Sequence, residues 1–388
     1  MRIVSVAGIR PDFIRMAKII RGLDGCGGIE HILIHTGQHY SHNVNDIFFE
    51  QLNIRKPNVN LGIKSGSYAE QTAKLLVALE KELIRLKPDA VLFLGDSNTA
   101  LGAITSAKMN IFTIHIEAGM RSHDWRMPEE KNRVIVDRLS NLHYVYTERY
   151  KENLLYEGFN PANIVVVGNP IVDIVNKYKD QAAKSGIIQK LKLKYGEYFL
   201  TTIHRAENVD DKEVLTEILM GLGMVYRKYK KPIIYPMYYR TQKRIKEMGL
   251  ANQIPEGIRV MDPLGFFEFL DLEAHSMCNI TDSGTVQEES LVLRTPCVTA
   301  RWSTERPETV EVGANIVAGI EAGGVYQAVV SMVSSQRSWD TSILGDGESS
   351  VRIVEDIKDR SGQIINKEHL LMDPFDFRKR NCFVKRGA

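Results

Sequence analysis

The fold class predicted is α/β, with two doubly wound parallel-sheet halves facing a cleft, and three observations predict it. Short apolar runs alternate with longer amphipathic stretches along the 388 residues, which is the pattern of βα units. The same rhythm restarts after residue 185, so the unit occurs in two halves. Charged segments recur directly after the apolar runs, at the strand ends where such sheets bind their ligands.

In the first half, strands are predicted at 2–7, 31–35, 90–94, 111–116, 142–146 and 164–167. Amphipathic helices fall between them. After Gly66, for example, Ala69, Thr72, Leu75, Leu76, Leu79 and Leu83 recur at helical spacing until Pro88 ends the run. In the second half, strands are predicted at 198–203, 232–235, 259–261, 278–281, 297–300 and 315–317. The joint falls near 169–190, and the chain divides into 1–172, 173–350 and 351–388.

Composition narrows the function. A net charge of +2 lacks the clustered excess of Lys and Arg that neutralises phosphate backbones, so no nucleic-acid partner is expected. Cys26, Cys278, Cys297 and Cys382 are scattered and show neither a disulfide framework nor zinc-ligand spacing. No apolar run of about twenty residues occurs, and the first residues do not read as a leader, so a cytoplasmic protein with no membrane partner is expected.

The strand ends carry the chemistry. Residues 115–133, HIEAGMRSHDWRMPEEKNR, follow an apolar strand, yet eight of the nineteen are Asp, Glu, Lys or Arg. Charges at the end of a buried strand must be paired or face a ligand. Glu117 sits at that end, and the following Ala118-Gly119 would leave space for a ligand. Glu129 and Glu130 stand four and three residues before Arg133, so surface ion pairs on a helix starting near Pro128 are the alternative for both. After the first strand, the turn to Arg10 offers backbone amides and a guanidinium to an anion. Asp96 in GDSNT places a carboxylate at the cleft or caps a helix. His204 and Arg205 suit a phosphate, with a satisfied histidine cap as the alternative. Ser283-Gly284 opens a helix whose amides would fit a diphosphate, and Glu289, two turns on, would accept from ribose hydroxyls or lie on an exposed face. Residues 301–308, RWSTERPE, form a further charged strand-end segment.

Nine motifs occur in the order found in non-hydrolysing UDP-N-acetylglucosamine 2-epimerases: GIRPDFIRMA, HTGQHY, GDSNT, HIEAGMRS, RMPEEKNR, TIHRAEN, DPLGFFEFL, TDSGTVQEES and STERPETVE. The chain resembles that family over nearly its whole length. The resemblance implies two Rossmann-like domains in the arrangement of many glycosyltransferases, a UDP-sugar in the cleft, and a last helix, with 351–358 part of it, returning to the first domain. It implies no metal or other cofactor, a homodimer, and in bacterial relatives an activating second UDP-sugar near the segment matched by Gln38 and His39. It implies elimination of UDP to a 2-acetamidoglucal, which is re-protonated at C2. Asp96, Glu117 and Glu129 would handle the proton and the intermediate. His204 would stabilise UDP in the catalytic set, with Arg10, Ser283 and Gly284 on UDP, Arg133 near the diphosphate, Glu289 on the ribose and Phe269 near uracil.

The chain departs from the family pattern at Arg15, usually Lys, Thr285, usually Gly, and Trp302, usually Asp. It also has Tyr238 in a segment that usually contains His. Arg15 and Thr285 stay in the expected substrate-binding set, although Arg keeps charge without keeping geometry and Thr adds a Cβ beside the phosphate turn. A related UDP-2,3-diacetamido uronic acid, hydrolysis to UDP and free sugar, and silent UDP-sugar binding are the alternatives. Glycosyl transfer on a similar architecture is another, since fold does not fix function.

Overall fold

The structure is a computed structural model that describes residues 1–37, 49–63 and 66–370. Gln38, His39, Cys382 and the basic C-terminal tail lie outside the described residues.

Each half is built on a wholly parallel sheet. The first contains β1 (Arg2–Ala7), β2 (Glu30–His35), β3 (Val59–Asn60), β4 (Ala90–Leu94), β5 (Phe112–Ile116), β6 (Leu142–Val145) and β7 (Ile164–Val166), in the order β3-β2-β1-β4-β5-β6-β7. The second contains β8 (Phe199–Thr202), β9 (Ile233–Pro236), β10 (Ile258–Met261), β11 (Asn279–Thr281), β12 (Cys297–Thr299) and β13 (Asn315–Val317), in the order β10-β9-β8-β11-β12-β13. All twelve predicted strands are present, with ends shifted by a residue or two. β3 was not predicted, because a two-residue strand in NVN has no apolar run to reveal it.

Helices cover both faces of each sheet for the usual reason: strands with no polar face must be buried on both sides. The helix Tyr68–Leu86 shows how local sequence sets its limits. Ser67 Oγ accepts from Glu70 N at 3.2 Å and Ser67 N donates to Glu70 Oε2 at 2.9 Å, a reciprocal cap. Leu75, Leu79, Leu83 and Leu86 form its buried stripe, and Lys87 ends it in the left-handed region just before Pro88.

The chain order reverses between β1 and β4 and again between β8 and β11. At such switch points neighbouring connections leave on opposite faces and a crevice opens at the carboxyl ends of the strands. GIRP and GDSNT flank the first crevice, TIHRAEN and TDSGTVQEES the second. The halves are also tied together away from the cleft. The helix Pro170–Ala182, capped by Asn169 Oδ1, buries Ile171, Ile174 and Val175 in the first core, while Asn169 Nδ2 donates to Glu288 Oε1 of the second half at 2.9 Å. The helix Ser349–Asp359 lies on the helix Arg10–Gly25. Gly22 permits this close approach, since a Cβ there would sit 2.8 Å from Val354 Cγ2.

Candidate functional site

The loops leaving the two sets of strand ends meet across the cleft. Glu117 follows β5 directly, is 1% exposed and has a left-handed backbone, φ +73°. For a residue with a Cβ this conformation is costly, so the surroundings must enforce it. Arg15 Nη1 pairs with Glu117 Oε2, to which Tyr146 OH also donates at 3.2 Å, and Arg306 Nη2 donates to Oε1 at 3.2 Å. Thus a carboxylate from the first half is held between arginines of both halves. Behind it, His115 is anchored at both ring nitrogens, Nδ1 on Asp137 Oδ1 at 2.6 Å and Nε2 on Gly95 O at 2.9 Å. Gly119, expected to leave space for a ligand, instead makes room for the chain itself: a Cβ would meet Tyr150 O at 2.2 Å.

Asp96 follows β4 by two residues and receives Arg133 Nη2 at 2.6 Å. Burial pushes its carboxyl up, but Arg133, with Arg205 and Arg306, outweighs this and holds it below the usual range. Arg133 is 1% exposed and lines neither cavity described below; its guanidinium is taken up by Asp96, Glu130 and Glu305. The Glu130–Arg133 pair is therefore not a surface pair. It is a buried brace whose Glu130 also accepts from Ser122 N and His123 N, at 3.0 and 2.9 Å, and so shapes the loop. Glu129 does not pair with Arg133. Its Oε2 lies 3.8 Å from Arg205 Nη1 without a hydrogen-bond partner, and burial, opposed by Arg205, raises its pKa.

From the second half, Asp282 organises the strand end. It accepts His204 N at 2.9 Å and Arg205 N at 2.9 Å and lies 3.1 Å from His204 Nδ1. Burial lowers the His204 pKa against the pull of Asp282. Gly284 admits Arg306, because a Cβ there would sit 2.3 Å from Arg306 Nη1. The amides of Gly8 and Ile9, expected to receive an anion, already donate to Asp12 Oδ2 at 3.0 and 3.1 Å, which leaves Arg10 as the cationic contribution of that turn.

Two adjoining cavities result. One is lined by Arg15, Asp96, Glu117, Glu129, Gly284 and Arg306. The other is lined by Arg10, Tyr238, Phe266, Phe269, Val286 and Glu289, and His204, Ser283 and Thr285 belong to both. A charged chamber thus opens onto a partly aromatic one across a helix N-terminus, where backbone amides favour negative charge. Tyr238 stands in the wall beside His204, ring centroids 5.2 Å apart, whereas Trp302 is 53% exposed, lies against Gly319 and lines neither cavity. Among the described residues, no group of three or more His, Cys, Asp or Glu side chains is disposed to hold a metal ion, and no helix is long and apolar enough to cross a membrane.

Sequence reasoning left Arg306 and Asp282, described above, without a role, and also Glu305. It is fully buried and faces Arg133 and Arg205, each at 3.5 Å, Arg301 at 2.8 Å, and Arg306. Burial pushes it up, but these arginines hold it well below the usual carboxylate range. The one available signal was Glu-Arg-Pro at a strand end, since Pro307 opens a helix and fixes the preceding residues in the cleft.

The family model described as UDP-N-acetylglucosamine 2-epimerase matches residues 22–358. A UDP-N-acetylglucosamine 2-epimerase of Methanocaldococcus jannaschii is 44% identical over 360 residues, covering 91% of this chain and 98% of the relative. A UDP-2,3-diacetamido-2,3-dideoxy-D-glucuronate 2-epimerase of Pseudomonas aeruginosa is 34% identical, covering 92% and 99%. The crystal structure of the M. jannaschii UDP-GlcNAc 2-epimerase in complex with UDP-GlcNAc and UDP superposes with a TM-score of 0.89 at 43% identity, covering 92% of this chain and 99% of that one. With matching motifs, fold and cleft, the chain belongs to the UDP-N-acetylglucosamine 2-epimerase family.

Proposed function

We propose that the protein interconverts UDP-N-acetylglucosamine and UDP-N-acetylmannosamine without hydrolysing them. The observation that carries this reading is the joining of a carboxylate-lined chamber to an aromatic-walled one at His204, Ser283 and Thr285. A sugar in the first chamber and a nucleoside in the second would set the diphosphate at the junction.

The C2 hydrogen is weakly acidic, so direct removal is hard. Elimination couples its departure to that of UDP: the C2–H bond breaks, its electrons form C1=C2, and the C1–O bond breaks as UDP leaves with its electron pair. A carboxylate takes the proton, and returning a proton to the opposite face before UDP adds back inverts C2. Glu117, fixed by Arg15 and Arg306, and Asp96 are the acceptors; Glu129, which burial raises above the usual carboxylate range against the pull of Arg205, shares in the proton transfer. Arg10, His204, Ser283, Gly284 and Thr285 stabilise the leaving diphosphate, while Glu289 and Phe269 hold the nucleoside. Arg133 acts through Asp96. The expected division at 1–172, 173–350 and 351–388, the homodimer and the cytoplasmic location belong to the same proposal.

The test is incubation with UDP-N-acetylglucosamine in deuterated water without an acceptor. Deuterium at C2 of intact UDP-sugar is the expected outcome. Free sugar with UDP would indicate hydrolysis, and exchange confined to a 2,3-diacetamido uronic acid substrate would move the protein to that specificity. UDP binding without exchange would reduce it to a binder.

A further inference from the structure

The helix Phe266–His275 hides a carboxyl group that this mechanism leaves unused. Glu273 is wholly buried, and its Oε1 accepts from Ser290 Oγ at 3.3 Å. Its Oε2 has no donor among the described residues. The side chain instead makes a hydrogen-bonding contact with the carboxyl group of Glu289, in the wall of the aromatic cavity. Two carboxylates in contact away from water repel, and the contact holds only if a proton lies between them.

The neighbours decide which group keeps that proton. Glu289 is opposed by Glu288 but has Arg10 and Arg15 nearby, and Arg10 is also within reach of Glu268. Among the described residues no cation acts on Glu273; Glu289, the Ser290 hydroxyl and the Cys297 thiol are polar neighbours. We propose that Glu273 is a positioning residue: as a neutral carboxylic acid it donates to Glu289 and fixes that group as the acceptor for the nucleoside hydroxyls. This rests on the assignment of Glu289 to the nucleoside made above. Burial, with Glu289, holds Glu273 well above the usual carboxylate range, while burial and Glu288 bring Glu289 to about 8.

Calorimetric titration of UDP from about pH 6 to about pH 9 tests the proposal on the full chain and on Glu273→Gln, Glu273→Met and Glu289→Gln. Wild-type affinity should rise as Glu289 ionises, through a midpoint of about 8. Gln keeps a donor where the proton was and should leave the curve in place. Met keeps the volume but removes the donor; it should move the curve up by about one pH unit and weaken binding about tenfold at neutral pH. A downward shift in the Gln variant would show that Glu273 is ionised and would overturn the proposal, as would a Met curve identical to wild type. If Glu289→Gln binds UDP like wild type at every pH, the nucleoside assignment fails instead. The proton is then read from the infrared band of a protonated carboxylic acid near pH 7, and a band unchanged in Glu273→Gln rejects it.

Discussion

Two groups of carboxyls flank the same cleft, and the pair Glu305 and Asp96 is shifted in the opposite direction from the trio Glu273, Glu288 and Glu289. In the charged chamber, Glu305 and Asp96 lie among arginines and are held below the usual range, while Glu129 in the same wall is raised. Around the aromatic cavity and behind it, Glu273, Glu288 and Glu289 have fewer cations in reach and are all raised. Burial is common to both, so burial does not set the sign. What differs is the number of guanidinium groups within reach, which on one side repays the lost hydration and on the other does not. In the function proposed above, Asp96 of the first cluster is a fixed carboxylate for proton transfer, and Glu289 of the second is a group whose charge responds to its ligand.

The contrast can be broken most severely at Glu117. Glu117→Gln keeps shape and removes the negative charge between Arg15 and Arg306, so C2 deuterium exchange should fall about a thousandfold while UDP binding is retained. Near-normal exchange would remove Glu117 from the catalytic set.

Next comes Glu305→Gln, which leaves buried arginines without their shared partner. A loss of about 3–5 kcal/mol is expected in urea unfolding. Glu305 also gives the pH dependence its sign. Its folded pKa is depressed, so its stabilisation is present above the unfolded value of about 4.3 and is lost as pH falls towards the folded one. The wild type should lose stability on acidification below about pH 4.3, and the variant should show a shallower acid limb.

The smallest effect belongs to the other cluster. Glu289 is raised to about 8, so ionising it costs stability progressively as pH rises from the unfolded value of about 4.3 to the folded one. Glu289→Gln should therefore stabilise the unliganded protein above about pH 8 in thermal unfolding, while weakening UDP binding. Destabilisation at that pH would mean that Glu289 is not a burdened acid.

Legibility from sequence followed the same division between local and collective effects. Twelve strands were readable because each carries its own apolar run and its own boundary residues. β3 was not, since it exists only by lying beside β2. In the site, Glu117, Asp96 and His204 were visible because each stands within two residues of a strand end. The surface alternative weighed for Glu130 and Arg133 does not hold, because a spacing of three specifies adjacency on a helix but says nothing about what covers it. Gly119 was read as room for a ligand, yet it accommodates another part of the chain, Tyr150.

The amino-acid order by itself determined the periodicities, hence the two parallel sheets, and the residue types at each strand end, hence the cleft that bears the chemistry. These are properties of short segments, fixed by burial and backbone geometry within a few residues. Only the tertiary structure decided which charges meet. Arg306 reaches Glu117 across 189 positions and Asp96 meets Arg133 across 37. Protonation in a buried site depends on every charge within a few ångströms, whatever its distance along the chain.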